Sequence, residues 1–205
     1  MEAMNYFEVF SLPQKLAIDT AALEKQFYAM SRRLHPDRFA SRPPEEQEEA
    51  LKQSSLLNDA YRTLKDPILR TQYLLKLEGV ELEEQSKAAT DQARATGVEK
   101  KQVVPPELLE EVFELNMQLQ EMRAAKQMGE DEPELRRDLM TAKDAFDARM
   151  METQAELEGL WARWDVAVEA GDDGGKASAR DAMVALLNKR SYLRNLVRDV
   201  NEALE

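Results

Sequence analysis

The chain has 205 residues, of which 43% are hydrophobic and 33% are charged, and its formal net charge of −12 disfavours general binding to nucleic acids. It has no cysteine and a single histidine, His35, which excludes disulfides, thiolate nucleophiles and zinc–sulfur sites and argues against histidine-based metal clusters. No apolar run reaches the roughly 20 residues of a membrane span, so the sequence predicts a cytoplasmic protein that needs no metal or cofactor and has no nucleic-acid or membrane partner.

The acidic charge is concentrated in the second part of the chain. Residues 1–78 carry 11 basic and 12 acidic side chains, whereas residues 79–205 carry 17 basic and 28 acidic ones. The polar stretch at residues 79–104 contains two glycines and is followed by two prolines, a composition typical of linkers. We therefore predict an N-terminal module at residues 1–78, a linker at 79–104 and an acidic C-terminal module at 105–205.

Three or four helices are predicted in the N-terminal module. Asp19 and Thr20 are favoured N-cap residues at the start of the second helix. Prolines precede the third helix and follow it, and the acids in its first turn suit the helix dipole. The predicted helices cover about residues 5–10, 19–34, 45–65 and 68–77.

Apolar residues at helical spacing predict the buried face of each helix. On the second helix, Lys25 and Arg32 lie opposite the apolar stripe and Arg33 lies on its flank. The predicted core residues are Leu23, Phe27, Met30 and Leu34 on the second helix, Ala50, Leu57, Ala60, Tyr61 and Leu64 on the third, and Leu69, Tyr73, Leu74 and Leu77 on the fourth.

Three long helices are predicted in the C-terminal module, near residues 107–128, 133–170 and 176–204. Short breaks separate them, and the stretch AGDDGGKAS at 170–178 is one of these breaks. Helices joined by short turns favour antiparallel packing. The predicted fold class is therefore all-α, with an N-terminal helical hairpin module and a C-terminal antiparallel three-helix bundle.

The first helix of this bundle has more apolar residues than one buried face needs. Leu109, Phe113 and Met117 are spaced i, i+4, i+8 and lie away from the predicted core stripe. Two interpretations stay open: this helix is buried on two sides, or it exposes an apolar strip with an acidic rim that binds a partner. The core stripe consists of Leu108, Val112, Leu115, Leu119 and Met122, and the flanking acids are Glu110, Glu114 and Glu121.

The single histidine lies in the stretch LHPDR, between the second and third helices. Pro36 pushes His35 out of helical geometry, because the residue before a proline favours extended conformations. Alone, the triplet is consistent with a simple helix stop. A hydrolase needs more than one histidine beside Asp37, and nothing else in the sequence is placed to complete a catalytic triad.

The residues around this triplet resemble a J-domain over three segments: NYFEVFSLP, LEKQFYAMSRRLHPDRFA and LLNDAYRTLKDPILRTQYLL. The resemblance is closer still to the HscB family, because HPDRFAS precedes a longer helix, DPILRTQYLLKLEG follows that helix, and an acidic helical module comes last. This resemblance implies a non-enzymatic J-type co-chaperone of iron–sulfur cluster assembly. Such a protein stimulates the ATPase of a DnaK/HscA-type chaperone and delivers the cluster scaffold protein to it.

The same resemblance implies two sets of binding residues, one for the chaperone and one for an IscU-type scaffold protein. Met117 departs from the family pattern, since an acid is expected at its position. Tyr192 matches an aromatic residue that the family uses at the same surface. It lies about 140° from Val197 around its helix, so we expect it off the core, either beside the apolar strip if the first and last helices are neighbours or simply exposed to solvent. The implied chaperone-binding residues are Lys25, Arg32, Arg33, His35, Pro36, Asp37 and Arg38, and the implied scaffold-binding residues are Leu109, Glu110, Phe113, Glu114, Met117 and Tyr192.

Two other interpretations of the function stay open. One is a J-domain co-chaperone for a different client, and the other is a structural helical adaptor in which the HPD triplet is incidental. The linker at 79–104 is longer than the compact connection expected for the family. Some eukaryotic relatives have a cysteine-rich metal site near the N-terminus, and this chain has no cysteine to form one.

Overall fold

The structure, a computed structural model, describes residues 4–80, 82 and 104–205. These residues form α-helices and short 3-10 turns and include no β-strand, which confirms the all-α prediction. None of the helices in these ranges is both long and apolar enough to cross a membrane. The helices are α1 Tyr6–Val9, α2 Thr20–Leu34, α3 Pro44–Lys65, α4 Pro67–Leu77, α5 Leu109–Met128, α6 Pro133–Ala170 and α7 Asp173–Leu204, and 3-10 turns cover Pro36–Arg38 and Pro106–Leu108.

Local capping explains where the helices begin and end. The side chain of Asp19 accepts hydrogen bonds from two backbone N–H groups at the start of α2, as the sequence predicts. α7 begins at Asp173, three residues before the predicted start. The reason is that Asp172 caps this helix, because its carboxylate accepts from the N–H of Gly175 at 3.0 Å. A Cβ at Gly175 would clash with that carboxylate, so a larger residue there would displace the capping side chain.

The first of two compact units combines Met1–Leu82 with Glu158–Met183. The end of α6 therefore packs with α1 to α4. The buried Trp161 donates from Nε1 to Thr71 Oγ1 at 2.9 Å. The buried carboxylate of Asp165 accepts from the backbone N–H groups of Leu16 and Ala17 at 2.9 and 3.0 Å. The core of this unit includes Phe7, Phe10, Leu16, Leu23, Ala50, Leu57, Ala60, Leu64, Leu74 and Leu75.

The buried face of α4 differs from the prediction. Leu69 and Leu77 are exposed, whereas the polar residues Arg70 and Thr71 are buried. The cause is α6, because the guanidinium of Arg70 lies 4.6 Å from the ring centroid of Trp161 and its Nη1 donates to the Leu64 carbonyl at 2.6 Å. Paired in this way, a cation and a hydroxyl can be buried on a face where apolar residues are expected.

The second compact unit combines Glu83–Leu157 with Val184–Glu205. In its described part, α5 packs with the first half of α6 and the second half of α7 around one apolar cluster. The predicted core stripe is fully confirmed, since its four residues on α5 and Leu108 in the preceding 3-10 turn are all buried. Other members of the cluster are Leu135, Leu139, Phe146, Leu193, Leu196 and Val200.

The two compact units do not follow the predicted boundaries of the modules at 1–78 and 105–205. Residues 158–183 are grouped with the N-terminal residues, because the end of α6 contacts α4 and Lys176 of α7 forms an ion pair with Glu78 at 2.7 Å. The predicted linker at 79–104 lies almost entirely outside the described residues. The module boundaries stay a prediction, and α6 and α7 each contribute residues to both units.

Candidate functional site

Contacts along α3 orient α2. The carboxylate of Glu24 accepts from the Tyr61 hydroxyl at 2.9 Å and from Lys65 Nζ at 3.2 Å. The pKa of Glu24 is lowered by these hydrogen bonds, first that from Tyr61 and then that from Lys65. The Phe27 ring stacks on the Tyr61 ring at 4.0 Å between centroids. One side of α2 is thus held against α3, and the side that carries Lys25 faces solvent.

The HPD triplet forms a compact turn at the end of α2. His35 is extended, with φ −60° and ψ 129°, as expected before a proline. The backbone N–H of Arg38 donates to the His35 carbonyl at 3.0 Å and closes the 3-10 turn. The N–H of Asp37 donates to His35 Nδ1 at 3.3 Å, and a carboxylate oxygen of Asp37 lies 3.5 Å from the same nitrogen. The loop itself therefore orients the exposed imidazole.

Cations without an ion-pair partner surround this turn. Arg32 Nε donates to the carbonyl of Tyr28 at 3.2 Å, and Arg38 Nη1 is 3.4 Å from the carbonyl of Arg32, so both contact backbone oxygens. Elsewhere in the same unit, Lys52 pairs with Glu48 at 2.7 Å. Uncompensated positive charge attracts an acidic partner surface. Within the described ranges, the exposed cations of this surface that form no ion pair are Lys25, Arg32, Arg33, Arg38 and Arg42.

Arg42 belongs to this cationic surface, although it is not among the chaperone-binding residues predicted from the sequence. Gln47 of α3 donates from Nε2 to the Arg42 carbonyl at 2.8 Å and lies 3.4 Å from the Ala40 carbonyl, so α3 holds the loop after the HPD turn. The signal available in the sequence was a further arginine close to the triplet. Its lack of an acidic partner was not visible there, because pairing depends on which side chains meet in the fold.

A second candidate site lies on α5. Leu109, Phe113 and Met117 are 54%, 69% and 57% exposed, so within the described residues this helix is buried on one side only. On its inner side, Glu111 forms a two-point ion pair with Arg149, with N–O distances of 2.7 and 2.6 Å. The apolar strip is therefore presented on a helix held by packing and charge. The exposed acids Glu110, Glu114 and Glu121 flank the strip, as predicted.

The expectation that Tyr192 lies off the core is wrong. Its side chain is only 7% exposed and belongs to the apolar cluster of the second unit. Burial raises the pKa of its phenol. The predicted direction of Tyr192 was measured from Val197. Val197 is only partly buried at the edge of the packed face, so the centre of that face lies elsewhere on α7. The buried stripe of α7 runs through Tyr192, Leu196, Val200 and Ala203, spaced by three or four residues.

Comparison with known proteins identifies the domain that contains the HPD turn and relatives of the whole chain. The family profile of the DnaJ domain matches residues 5–73, which include the HPD turn. The co-chaperone protein HscB homologs of two strains of Vibrio cholerae serotype O1, El Tor Inaba N16961 and Classical Ogawa 395, are each 34% identical over 164 residues, or 78% of this chain and 81% of the relative.

Solved structures show the same fold. The chaperone HscB from Vibrio cholerae aligns with a TM-score of 0.60 and 28% identity, over 97% of this chain and 96% of that one. The crystal structure of the human co-chaperone HscB aligns with a TM-score of 0.62 over 98% of this chain and 83% of that one, and at 24% identity it supports the fold alone. With its DnaJ domain and these relatives, the chain belongs to the HscB family, whose members are J-type co-chaperones rather than enzymes.

Proposed function

We propose that this protein stimulates the ATPase of a DnaK/HscA-type chaperone and delivers an IscU-type iron–sulfur cluster scaffold protein to it. The exposed strip on α5 carries the proposal, because an apolar surface with an acidic rim is the kind of site that binds a protein client. One chain that binds both proteins raises the effective concentration of the client at the chaperone.

The chaperone-binding half of the proposal uses the HPD turn and the face of α2 beside it. The unpaired cations there support docking on an acidic surface, since charge complementarity speeds encounter and excludes wrong partners. The turn is locally hydrogen-bonded, so it loses little conformational freedom when it docks. The residues proposed for this contact are Lys25, Arg32, Arg33, His35, Pro36, Asp37 and Arg38.

The scaffold-binding half uses the outer face of α5. Phe113 is 69% exposed and lies in the middle of the strip, and exposed aromatic residues of this kind often dominate binding energy. Tyr192 offers the least contact area of these residues, because little of its side chain is accessible. The residues proposed for this contact are Leu109, Glu110, Phe113, Glu114, Met117 and Tyr192.

The test is the steady-state ATPase rate of a DnaK/HscA-type chaperone with the full-length chain, measured with and without the scaffold protein. We expect the scaffold and the co-chaperone together to stimulate more than either alone. Phe113→Ser should abolish this synergy and weaken scaffold binding in calorimetry by about tenfold or more, while stimulation by the co-chaperone alone persists. Met151→Ser is the matched control, because Met151 is 75% exposed on α6 of the same unit, away from the strip.

The same measurements decide between the proposed function and the two alternatives. Stimulation without any binding of the scaffold would identify a J-type co-chaperone for another client. A lack of stimulation with every DnaK/HscA-type chaperone would contradict the proposal and leave the structural adaptor. The full-length chain is needed throughout, because residues 158–183 are packed with the N-terminal residues.

A further inference from the structure

Two large apolar side chains are exposed on the hairpin formed by α2 and α3. Tyr28 on α2 is 54% exposed and Leu51 on α3 is 60% exposed. Lys25, Tyr28 and Arg32 are spaced i, i+3, i+7, which places Tyr28 within about 60° of both cations around the helix. The side chain of Arg32 also folds back to the carbonyl of Tyr28. The exposed ring therefore lies within the cationic surface.

Leu51 lies level with the HPD turn. Phe27 of α2 stacks on Tyr61 of α3, and Glu24 bonds with Lys65, so the two helices run antiparallel. Leu51 precedes Tyr61 by ten residues, or about 15 Å along α3, in the direction of the loop. The 3-10 turn that contains the HPD residues contacts α3.

Most neighbours of Leu51 on its face of α3 are uncharged, and the one acid among them, Glu48 at i−3, forms an ion pair with Lys52. The face of α3 that carries Leu51 also carries Gln47, Ser54 and Asn58, at spacings of three and four residues. It is turned toward α2, because Lys65, which bonds with Glu24, lies on the same face. An exposed apolar residue beside neutral polar side chains, level with a turn that carries unpaired cations, has the composition of an interface centre with a charged rim.

We infer, resting on the proposed function, that Leu51 and Tyr28 are apolar contacts through which the co-chaperone docks on its ATPase partner. The unpaired cations around them commit the partner to an acidic surface, and the two exposed side chains require an apolar contact region within it. Charge then brings the two proteins together, and burial of Leu51 and Tyr28 slows their dissociation.

The experiment is a titration of chaperone ATPase stimulation with full-length variants. Leu51→Ser should raise the concentration for half-maximal stimulation by about tenfold, the size expected when the burial of one aliphatic side chain is lost, and Tyr28→Ser should raise it similarly. Leu69→Ser is the matched control, since Leu69 is a partly exposed leucine on α4 of the same unit and should leave the value unchanged.

The dependence on salt concentration distinguishes the apolar contacts from the cationic ones. The effect of Arg32→Ala should shrink as the salt concentration rises, because exposed charges are screened, whereas the effect of Leu51→Ser should persist. Thermal melting checks that each variant is folded. Should the serine variant melt early, Leu51→Gln keeps the side-chain length and a good helix propensity.

An unchanged half-maximal concentration for a folded Leu51 variant overturns the inference, whatever Tyr28→Ser shows. His35→Gln in the same series separates this result from a failure of the proposed function. If His35→Gln loses stimulation and the Leu51 variant does not, the proposed function stands and the inference fails. If His35→Gln stimulates like the unaltered chain, both fail.

Discussion

At the scale of single residues, the imidazole of His35 is oriented by hydrogen bonds within its own turn. Its Nδ1 accepts from the Asp37 N–H, and its own carbonyl accepts from the Arg38 N–H, so its two nearest partners belong to the same turn. In the described ranges, no cluster of histidine and acidic side chains is arranged to hold a metal ion. An imidazole oriented by its own loop and open to solvent is suited to contact another protein.

Replacing this imidazole should separate function from stability. We expect His35→Gln to lower chaperone ATPase stimulation at least about tenfold, the loss of one well-placed contact at an interface. The melting temperature should be nearly unchanged, because the side chain is exposed. Stimulation is measured at steady state and folding by circular dichroism, with Lys76→Gln on α4 of the same unit as a control. Full stimulation by His35→Gln would rule out the proposed contact.

At the scale of helices, the packing of α6 on α4 depends on polar groups as well as on apolar area. The indole of Trp161 covers Arg70 and donates to Thr71. Burial of Arg70 lowers the pKa of its guanidinium. The nearby acids Asp66, Glu158 and Asp165 act in the opposite direction. A buried cation of this kind is tolerated only while the ring and its hydrogen-bond acceptor remain in place.

Removal of the indole should therefore be costly. Trp161→Ala should reduce the free energy of unfolding by roughly 3–5 kcal/mol, and Trp161→Phe, which keeps a ring but not the N–H, should cost about 1 kcal/mol. Val166→Ala on the exposed side of the same helix should change it by less than about 0.5 kcal/mol. Chemical denaturation measures all three. Similar values for Trp161→Ala and Val166→Ala would contradict this account of the packing.

The contact between α2 and α3 should depend on pH. The pKa of Glu24 is lowered below its ordinary value in the folded state, chiefly by the hydrogen bond from Tyr61. Its stabilising contribution is therefore present above that value and is lost as the pH falls through the lower folded pKa. We expect Glu24→Gln to remove part of the acid sensitivity of unfolding below about pH 4.5. An identical pH dependence in both chains, measured by thermal melting, would refute this role.

At the scale of the whole molecule, the segment that matches the DnaJ domain and the compact unit that contains it have different extents. The DnaJ domain matches residues 5–73, whereas the compact unit that contains them also includes Glu158–Met183. The carboxylate of Asp165 satisfies two backbone N–H groups that residues 1–78 alone would leave without that partner. The N-terminal residues are thus completed by a segment that is distant in the sequence.

A fragment of residues 1–78 should therefore be less stable than the same residues in the full chain. Each buried group left without its partner costs about 1–3 kcal/mol, and the apolar cover from α6 is lost as well. We expect amide hydrogens of Leu16 and Ala17 to exchange much faster in the fragment, as measured by hydrogen exchange with NMR detection. In the full-length chain, Asp165→Asn should increase the exchange rates of the same two amides less than the truncation does. Equal protection in fragment and full chain would show that the segment contributes nothing.

The sequence by itself determined the helices and most of their faces. Capping residues and prolines are local signals, so the bounds of α2 and α3 were predictable to within a residue. The division of α5 into a buried stripe and an exposed strip follows from helical spacing alone, and the structure confirms it. The HPD turn and the match to the DnaJ domain likewise depend on contiguous residues.

The tertiary structure alone decided which partner each face meets. Tyr192 is buried, and on α4 the buried side includes Arg70 and Thr71 instead of the predicted Leu69 and Leu77. Residues 158–183 belong to the same compact unit as the N-terminal residues. Whether the cations near His35 are paired was likewise settled only in the fold. The physical reason is that burial and pairing depend on side chains brought together from distant parts of the chain, whereas spacing along one helix gives only a direction.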